Sequence, residues 1–158
     1  MKRKFNNLFQ IRWREAIGLV QCPYVYRWTL LLFGFSLRVH HWLKSDDRRH
    51  FHDHACNLLT IPISGRYLNV MPGKEINGIL HPNNEDVGPR YFIEAKPFIP
   101  RFMKATQLHY LEIPKGGIWS VTLFGRPYKK WGFYVNGHMW RPLRYFHKFG
   151  IIQDEAYQ

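Results

Sequence analysis

His50-Phe51-His52-Asp53-His54 is the most informative stretch of the sequence, because three histidines alternate in it with two other residues. If the segment is extended, residues two apart point to the same side of the chain, so the three histidines share a face. Two imidazoles at this spacing can reach one metal ion at about 2.0–2.1 Å, and a third ligand would come from a distant strand. The same spacing also fits a polar strand face that binds no metal, and both interpretations stay open at this point.

The residues that follow repeat the spacing of a known metal motif. The first motif of the cupin superfamily reads His-x-His, three or four residues, Glu, six residues and Gly, and here His52 and His54 are followed at that spacing by Leu58 and Gly65. The chain therefore resembles a cupin, and the resemblance implies a mainly β, double-stranded β-helix (jelly-roll) barrel around a metal site. Leu58 stands where the family has its glutamate ligand. Because a leucine cannot coordinate metal, the four-ligand site of common cupins is excluded.

A third ligand is implied by a further resemblance. Residues 108–113 and 120–124 are similar to the second half of the thiol dioxygenases, a cupin branch that holds iron(II) with three histidines, and this implies His109. In a competing register, Pro114-Lys115-Gly116 matches the Pro-x-Gly of the second cupin motif. Trp119 then occupies the histidine position, and only two ligands remain. The cysteine that these dioxygenases crosslink to a tyrosine has no counterpart in register here.

Residues 25–140 resemble small, uncharacterised cupin-like proteins of bacteriophages in four short motifs: Asp46-Asp47-Arg48, His52-Asp53-His54, Gly65-Arg66-Tyr67 and Trp131-Gly132-Phe133. This resemblance implies a fold and a metal site but no reaction. Asp53 would point away from its neighbouring histidines, where a salt bridge to Arg48 or Arg49 is expected.

The pattern of apolar residues predicts one domain in three parts. Apolar residues from Phe5 to Val20 recur at helical spacing, which predicts an N-terminal α-helix over 1–22. Residues 24–136 form short β-branched and aromatic runs separated by turn residues, typical of strands in a barrel. Residues 73–88 have loop character, and the aromatic tail 137–158 is expected to pack on the barrel as a short helix.

The charge of the chain points to anionic partners. Its 23 Lys and Arg against 11 Asp and Glu give a net charge of +12, which favours encounter with an anionic small molecule or nucleic acid. Arg48 and Arg66, near the histidines in sequence, are the candidate substrate-binding residues. The sequence shows no membrane segment, and its two cysteines and lack of a signal-peptide pattern predict the cytoplasm, of a host if the protein is phage-encoded. A homo-oligomer is compatible with these features.

Two main hypotheses follow. The first is an iron(II)-dependent oxygenase with a metal site of His52, His54 and His109; zinc, manganese and nickel are the other candidate metals. The second is a non-catalytic binding protein that captures a nucleotide, a nucleic acid or a host partner. Whether the protein is an enzyme is left open by the sequence, as is a third hypothesis of a structural protein without metal.

Overall fold

The computed structural model describes residues 9–19, 22–46, 48–82 and 88–149. Its elements, in chain order, are β1 (Phe9–Leu19), β2 (Cys22–Leu32), β3 (Phe35–Trp42), β4 (Leu58–Ser64), β5 (Tyr67–Ile76), β6 (Ile79–Pro82), β7 (Arg90–Ala95), β8 (Arg101–Met103), β9 (Tyr110–Glu112), β10 (Ile118–Phe124), β11 (Phe133–Val135), β12 (His138–Trp140) and α1 (Pro142–Phe149). The prediction of a mainly β chain is confirmed.

Two antiparallel sheets face each other. The larger has six strands in the order β1-β2-β3-β10-β4-β8, and in the smaller β5 pairs with β6, β7 and β9. Ile118 of β10 packs in one apolar cluster with Tyr67, Ala95 and Leu111 of the opposite sheet and with Ile113, which follows β9. The core therefore lies between the sheets, as in a jelly roll.

The turn between β4 and β5 depends on Gly65, the glycine that closes the histidine motif. Its φ is +70°, a left-handed conformation that L side chains rarely adopt, and a Cβ here would lie 2.6 Å from Ile118 Cγ2. The close approach of the turn to β10 therefore requires glycine.

The predicted N-terminal helix is wrong over the described residues, which form β1; residues 1–8, 20 and 21 lie outside them. Phe9 and Ile11 lie opposite Leu32 and Leu30 of β2, so pairing with β2 stabilises an extended chain. The register shifts after Arg12, and Arg14 has a φ of 45°. This bulge interrupts the alternation of side chains between the two faces of the strand. The apolar residues on either side of the bulge then fall at helical spacing.

The predicted loop over 73–88 is also largely wrong. β5 continues to Ile76 and returns as β6, and the turn between them is Asn77-Gly78, with φ values of 52° and 75°. Positive φ at both positions is typical of the tight type I′ hairpin turn. Residues 83–87 of the predicted loop lie outside the described residues.

The C-terminal segment contributes helix α1 to the structure. Tyr145 of α1 is fully buried, and its ring stacks on Phe133 of β11 with 4.0 Å between centroids. Residues 150–158 lie outside the described residues. Within the described ranges, no helix has both the length and the apolar character needed to cross a membrane.

Candidate metal centre

The histidine motif lies on an irregular extended segment between two other parts of the chain. The His52 N–H donates to the His109 carbonyl at 2.9 Å, and the His109 N–H donates to the His52 carbonyl at 3.0 Å. On the same side the His54 N–H donates to the Ala105 carbonyl at 3.0 Å, and on the other side the Tyr134 N–H donates to the Phe51 carbonyl at 2.8 Å. These backbone bonds bring His109, distant in sequence, beside the His-x-His pair.

The structure brings His52, His54 and His109 together. One ring nitrogen of each lies within 4.8 Å of the other two, and the Nε2 atoms of His54 and His109 are 2.7 Å apart. His50 lies apart from this cluster, with its Nδ1 2.9 Å from the Tyr145 hydroxyl. Of the three alternating histidines, two therefore converge with His109, and Trp119 of the competing register faces the other side of the sheet.

The three imidazoles fit a divalent transition metal. Nδ1 of His52 is buried and has no hydrogen-bond partner among the residues that the structure describes. Burial is the largest cause that lowers the pKa of His52, His54 and His109 below their usual range. All three rings are therefore neutral near pH 7, and the neutral imidazole is the form that ligates metals.

His109 has a partner that selects its tautomer. Its Nδ1 lies 2.9 Å from Oδ1 of Asn69, and the Asn69 amide nitrogen donates to the Met103 sulfur at 3.4 Å. In this orientation the amide oxygen accepts the Nδ1 proton, and Nε2 of His109 keeps its lone pair for a metal. Asn69 is fully buried in β5, where a polar residue needs such partners.

Asp53 orders the backbone between the two histidines of the motif. Its fully buried carboxylate accepts a hydrogen bond from the Gly132 N–H at 2.9 Å and another from the Tyr134 hydroxyl at 3.2 Å, and it forms an ion pair with Lys129. The expected salt bridge to Arg48 or Arg49 is therefore wrong, since the charge partner is Lys129.

A small cavity and a larger groove meet at the histidines. The cavity, about 60 Å³, is bordered by His52, His54 and His109 together with Leu58 and Met103. Such a volume holds an ion and a few waters. Leu58 therefore lies in the same cavity as the three histidines, where the carboxylate ligand of the common cupin motif would be expected.

The groove is the larger opening, about 340 Å³, and His52 and His54 line it as well. Arg27, Arg38 and His40 of the inner face of β2 and β3 also line it, as does Cys56. Burial raises the pKa of the Cys56 thiol, so it stays protonated near neutral pH.

The two arginines expected to bind substrate lie elsewhere. Arg48 pairs with Glu112 at 3.5 Å, and the exposed Arg66 pairs with Glu94 at 3.4 Å. Neither residue lines the cavity or the groove. Arg66 borders a separate surface depression with Glu94 and Glu112.

Sequence reasoning missed Asn69, Arg38 and His40. Asn69 had a local signal, as the one polar side chain in the apolar run Tyr67 to Met71. Ser36, Arg38 and His40 alternate on the predicted strand, so the sequence shows that they share a face. Whether that face points inward depends on long-range pairing with β2 and β10.

No protein-family model matches the chain, and no curated protein matches it in sequence. Solved structures do share its fold. One is a crystal structure of FeII HppE, with a TM-score of 0.52, 11% identity, and coverage of 79% of this chain and 60% of that one. Another is a structure of the DMSP lyases RdDddP and RnDddQII, with a TM-score of 0.50, 15% identity, and coverage of 80% and 63%.

Hydroxypropylphosphonic acid epoxidase from S. wedmorenis is also similar, with a TM-score of 0.49, 11% identity, and coverage of 71% and 55%. The fold is cupin-like. The chain spans only 55% of the length of that structure and 60% of the length of the FeII HppE structure. At these identities the likeness concerns the fold, so the chemistry of the site must be argued from its own residues.

Proposed function

We propose that the protein is a metal-dependent cupin-like enzyme whose centre of His52, His54 and His109 takes iron(II) and oxidises a small organic anion. The observation that carries this proposal is the convergence of three neutral imidazole nitrogens within 4.8 Å at the junction of a cavity and a groove. Zinc, manganese and nickel also accept imidazole ligands and are the competing metals.

The donor set supports a metal that reacts, rather than one that only holds the fold. Three protein ligands leave coordination positions open, whereas structural sites are closed by four. Iron(II) held by these histidines would supply redox chemistry with dioxygen. Leu58 places no ligand at the position where common cupins have a carboxylate, and the Asp46 carboxylate, which also borders the cavity, accepts a hydrogen bond from the Leu111 N–H at 2.9 Å. The iron(II) form of HppE, which shares the fold, makes iron the first metal to test.

The chain's own residues position and protect the site. Asn69 holds the His109 ring and its Nδ1 proton, and Asp53 fixes the backbone between His52 and His54 through Gly132. The buried side chains of Leu58 and Met103 exclude bulk water from one side of the cavity. The groove on the other side provides the route by which a substrate reaches the histidines.

A non-catalytic binding protein, phage-encoded and capturing a nucleotide, a nucleic acid or a host partner, is the second candidate. The observation that favours it is the charge of the groove, which Arg27 and Arg38 line and which no acidic residue lines within the described part of the chain. Such a groove would attract anions whether or not chemistry follows.

Oxygen uptake separates the two candidates. Protein loaded with iron(II) under anaerobic conditions would be mixed with small carboxylates and phosphonates and then exposed to oxygen. We expect uptake that requires both iron and one of these anions, that is lost in His109→Ala, and that is kept in His138→Ala, a change at an exposed histidine. Anion binding without uptake would favour the capture protein. Failure to bind iron would overturn the enzyme proposal.

A further inference from the structure

Two buried polar atoms on the inner face of β2 and β3 have no hydrogen-bond partner among the residues that the structure describes. Thr29 and Arg38 lie opposite each other in the register of these strands, and Arg27 lies opposite His40. Oγ1 of Thr29 and Nδ1 of His40 are buried, and neither has a hydrogen-bond partner in the described part of the chain. Buried polar atoms are nearly always hydrogen-bonded. Two unpaired atoms on neighbouring strands therefore indicate that a hydrogen-bonding ligand binds between them.

Arg38 adds an uncompensated charge to these unpaired atoms. Its Nε donates to the Ser36 hydroxyl at 3.2 Å, and its Cζ lies 4.0 Å from the centroid of the Phe124 ring. Among the described residues, no carboxylate lies within ion-pair distance of Arg38, whereas Arg27 is paired with Glu15 at 3.0 Å. Burial, followed by repulsion from Arg27, lowers the pKa of Arg38 to about 10, so its charge is kept at neutral pH.

The same ring links Arg38 to the metal centre. The centroid of the Phe124 ring lies 6.1 Å from the centroid of the His54 ring and 4.0 Å from the guanidinium carbon of Arg38. The guanidinium and the imidazole are therefore separated by at most the sum of these distances, which a small organic molecule can span. Both side chains line the same groove.

We propose that Arg38, with Thr29 and His40 beside it, binds the carboxylate or phosphonate group of a substrate whose other end reaches the histidines. The proposal rests on the proposed function for the identity of the reacting centre, but the oxyanion site itself does not require metal. A guanidinium presents five N–H donors in a planar fork that matches an oxyanion, and one of these is used by Ser36. Arg38 thus takes the substrate-binding role that the sequence suggested for Arg48 and Arg66.

Calorimetric titration with inorganic phosphate and with acetate tests the site, with metal content measured on the same samples. We expect Arg38→Gln to weaken binding of at least one of the two anions tenfold or more, and Arg66→Gln, which removes the same charge outside the groove, to change it less than twofold. Arg38→Lys keeps the charge and should recover part of the affinity. Thr29→Val should weaken binding severalfold, which keeps the test open if Arg38→Gln does not fold.

Failure of the oxyanion site and failure of the proposed function give different experimental results. Equal effects of Arg38→Gln and Arg66→Gln, or no binding of either anion by the wild type, would overturn the oxyanion site even if metal is present. Arg38-dependent anion binding in protein that takes up no metal would leave the oxyanion site standing and overturn the proposed function instead.

An independent observation concerns the outer face of the six-stranded sheet. One row of apolar side chains crosses all six strands in register: Ile11, Leu30, Leu37, Leu123, Leu59 and Phe102. Further along the strands, Trp28 stacks on Trp119 and Trp119 stacks on His41. In β2, β3, β4 and β10 no outward position of this paired region is charged, although the chain carries a net charge of +12.

We infer that a second copy of the chain covers this face. Strands lie about 4.8 Å apart and alternate residues about 6.7 Å apart, so about 18 outward positions on the six strands cover roughly 600 Å². A stable interface buries about 600–1,000 Å² on each partner, so the face reaches the lower end of the range for a dimer. Apolar sheet faces pack on one another in an aligned sandwich. Arg14 over the Tyr26 ring and Arg126 over the Phe35 ring bring charge to the ends of β2 and β3, outside the central apolar row.

Sedimentation equilibrium tests the dimer. We expect wild-type protein to have twice the mass of the chain at micromolar concentration, and Leu37→Lys, at the middle of the row, to be monomeric. Leu143→Lys is the matched control, because Leu143 is 86% exposed on α1, away from the sheet. A monomeric wild type, or a wild type that instead floats with lipid vesicles, would overturn the inference.

Discussion

Nδ1 of His109 and Oδ1 of Asn69 lie 2.9 Å apart, and both side chains are buried. The hydrogen bond joins strand β5 to the segment that carries the third imidazole of the candidate centre. Since the amide oxygen can only accept, the bond places the His109 proton on Nδ1 and leaves Nε2 facing His54. One buried asparagine therefore determines which nitrogen of His109 is available to a metal.

Removing that asparagine should weaken metal binding without abolishing it. We expect Asn69→Ala to lower the affinity for iron(II) or zinc about 10- to 100-fold, the usual cost of losing a partner of a ligating histidine. Competition with a chromogenic chelator measures the change. Asn69→Asp retains an oxygen acceptor and should bind metal more tightly than Asn69→Ala. Equal affinities for wild type and Asn69→Ala would mean that His109 is not a ligand.

Restoring a carboxylate at the motif position should strengthen the site. Leu58 is 5% exposed and borders the cavity with the three histidines. We expect Leu58→Glu to increase the affinity for divalent metal at least tenfold, since a carboxylate is the ligand that common cupins have at this position. Leu59→Glu is the control, because the adjacent side chain points to the outer face. If both variants bind metal like the wild type, the cavity is not the metal site.

The ion pair under the histidine motif should contribute to stability. Lys129→Met leaves the buried Asp53 carboxylate without its counter-charge, and we expect a loss of about 2 kcal/mol in the free energy of unfolding, below the usual range for buried pairs because Lys129 is partly exposed. Urea denaturation measures this change. Lys130→Met, at the exposed neighbour, should have little effect. Similar losses in both variants would show that Asp53 does not depend on Lys129.

The free energy of unfolding should fall as the pH is lowered, because buried His40 takes up its proton at a lower pH in the folded chain than in the unfolded chain. Burial, then Arg38 and Arg27, lowers the pKa of His40 from 6.5 to about 3. The unfolded chain binds this proton near pH 6.5 and the folded chain only near pH 3. The contribution of neutral His40 is therefore full above pH 6.5 and is lost as the pH falls toward 3. At pH 4 the loss is about 3 kcal/mol.

Urea denaturation from pH 7 to pH 4 measures how the free energy of unfolding changes with pH. Histidines 52, 54 and 109 are also held neutral by burial and add to it in the same direction. His40→Gln, which does not titrate, should show a smaller decline than the wild type over this range. A variant with the same decline would mean that His40 is protonated equally in the folded and unfolded chains.

The features that could be predicted from the sequence are those that neighbouring residues determine. The His52-x-His54 spacing and the β-rich runs of the barrel were legible because they depend on neighbouring residues. Asn77-Gly78 was equally local, as a typical hairpin dipeptide, and was overlooked inside a stretch interpreted as loop. β1 could not be distinguished from a helix, because the bulge at Arg14 disrupts its alternation.

The partners of the site could not be predicted, because they depend on pairing between distant strands. Asn69 reaches His109 from β5, and Arg38 faces the groove only because β3 lies between β2 and β10. Sequence proximity to the histidines pointed instead to Arg48 and Arg66, which pair with glutamates outside the cavity and groove.

Metal content after tag-free purification and anaerobic reconstitution tests the central claim most directly. Elemental mass spectrometry would compare the wild type with His52→Ala, His109→Ala and the exposed control His138→Ala. We predict close to one divalent metal per chain in the wild type and the control, and little in the other two variants. No bound metal in the wild type, or metal retained in both His52→Ala and His109→Ala, would contradict the three-histidine centre.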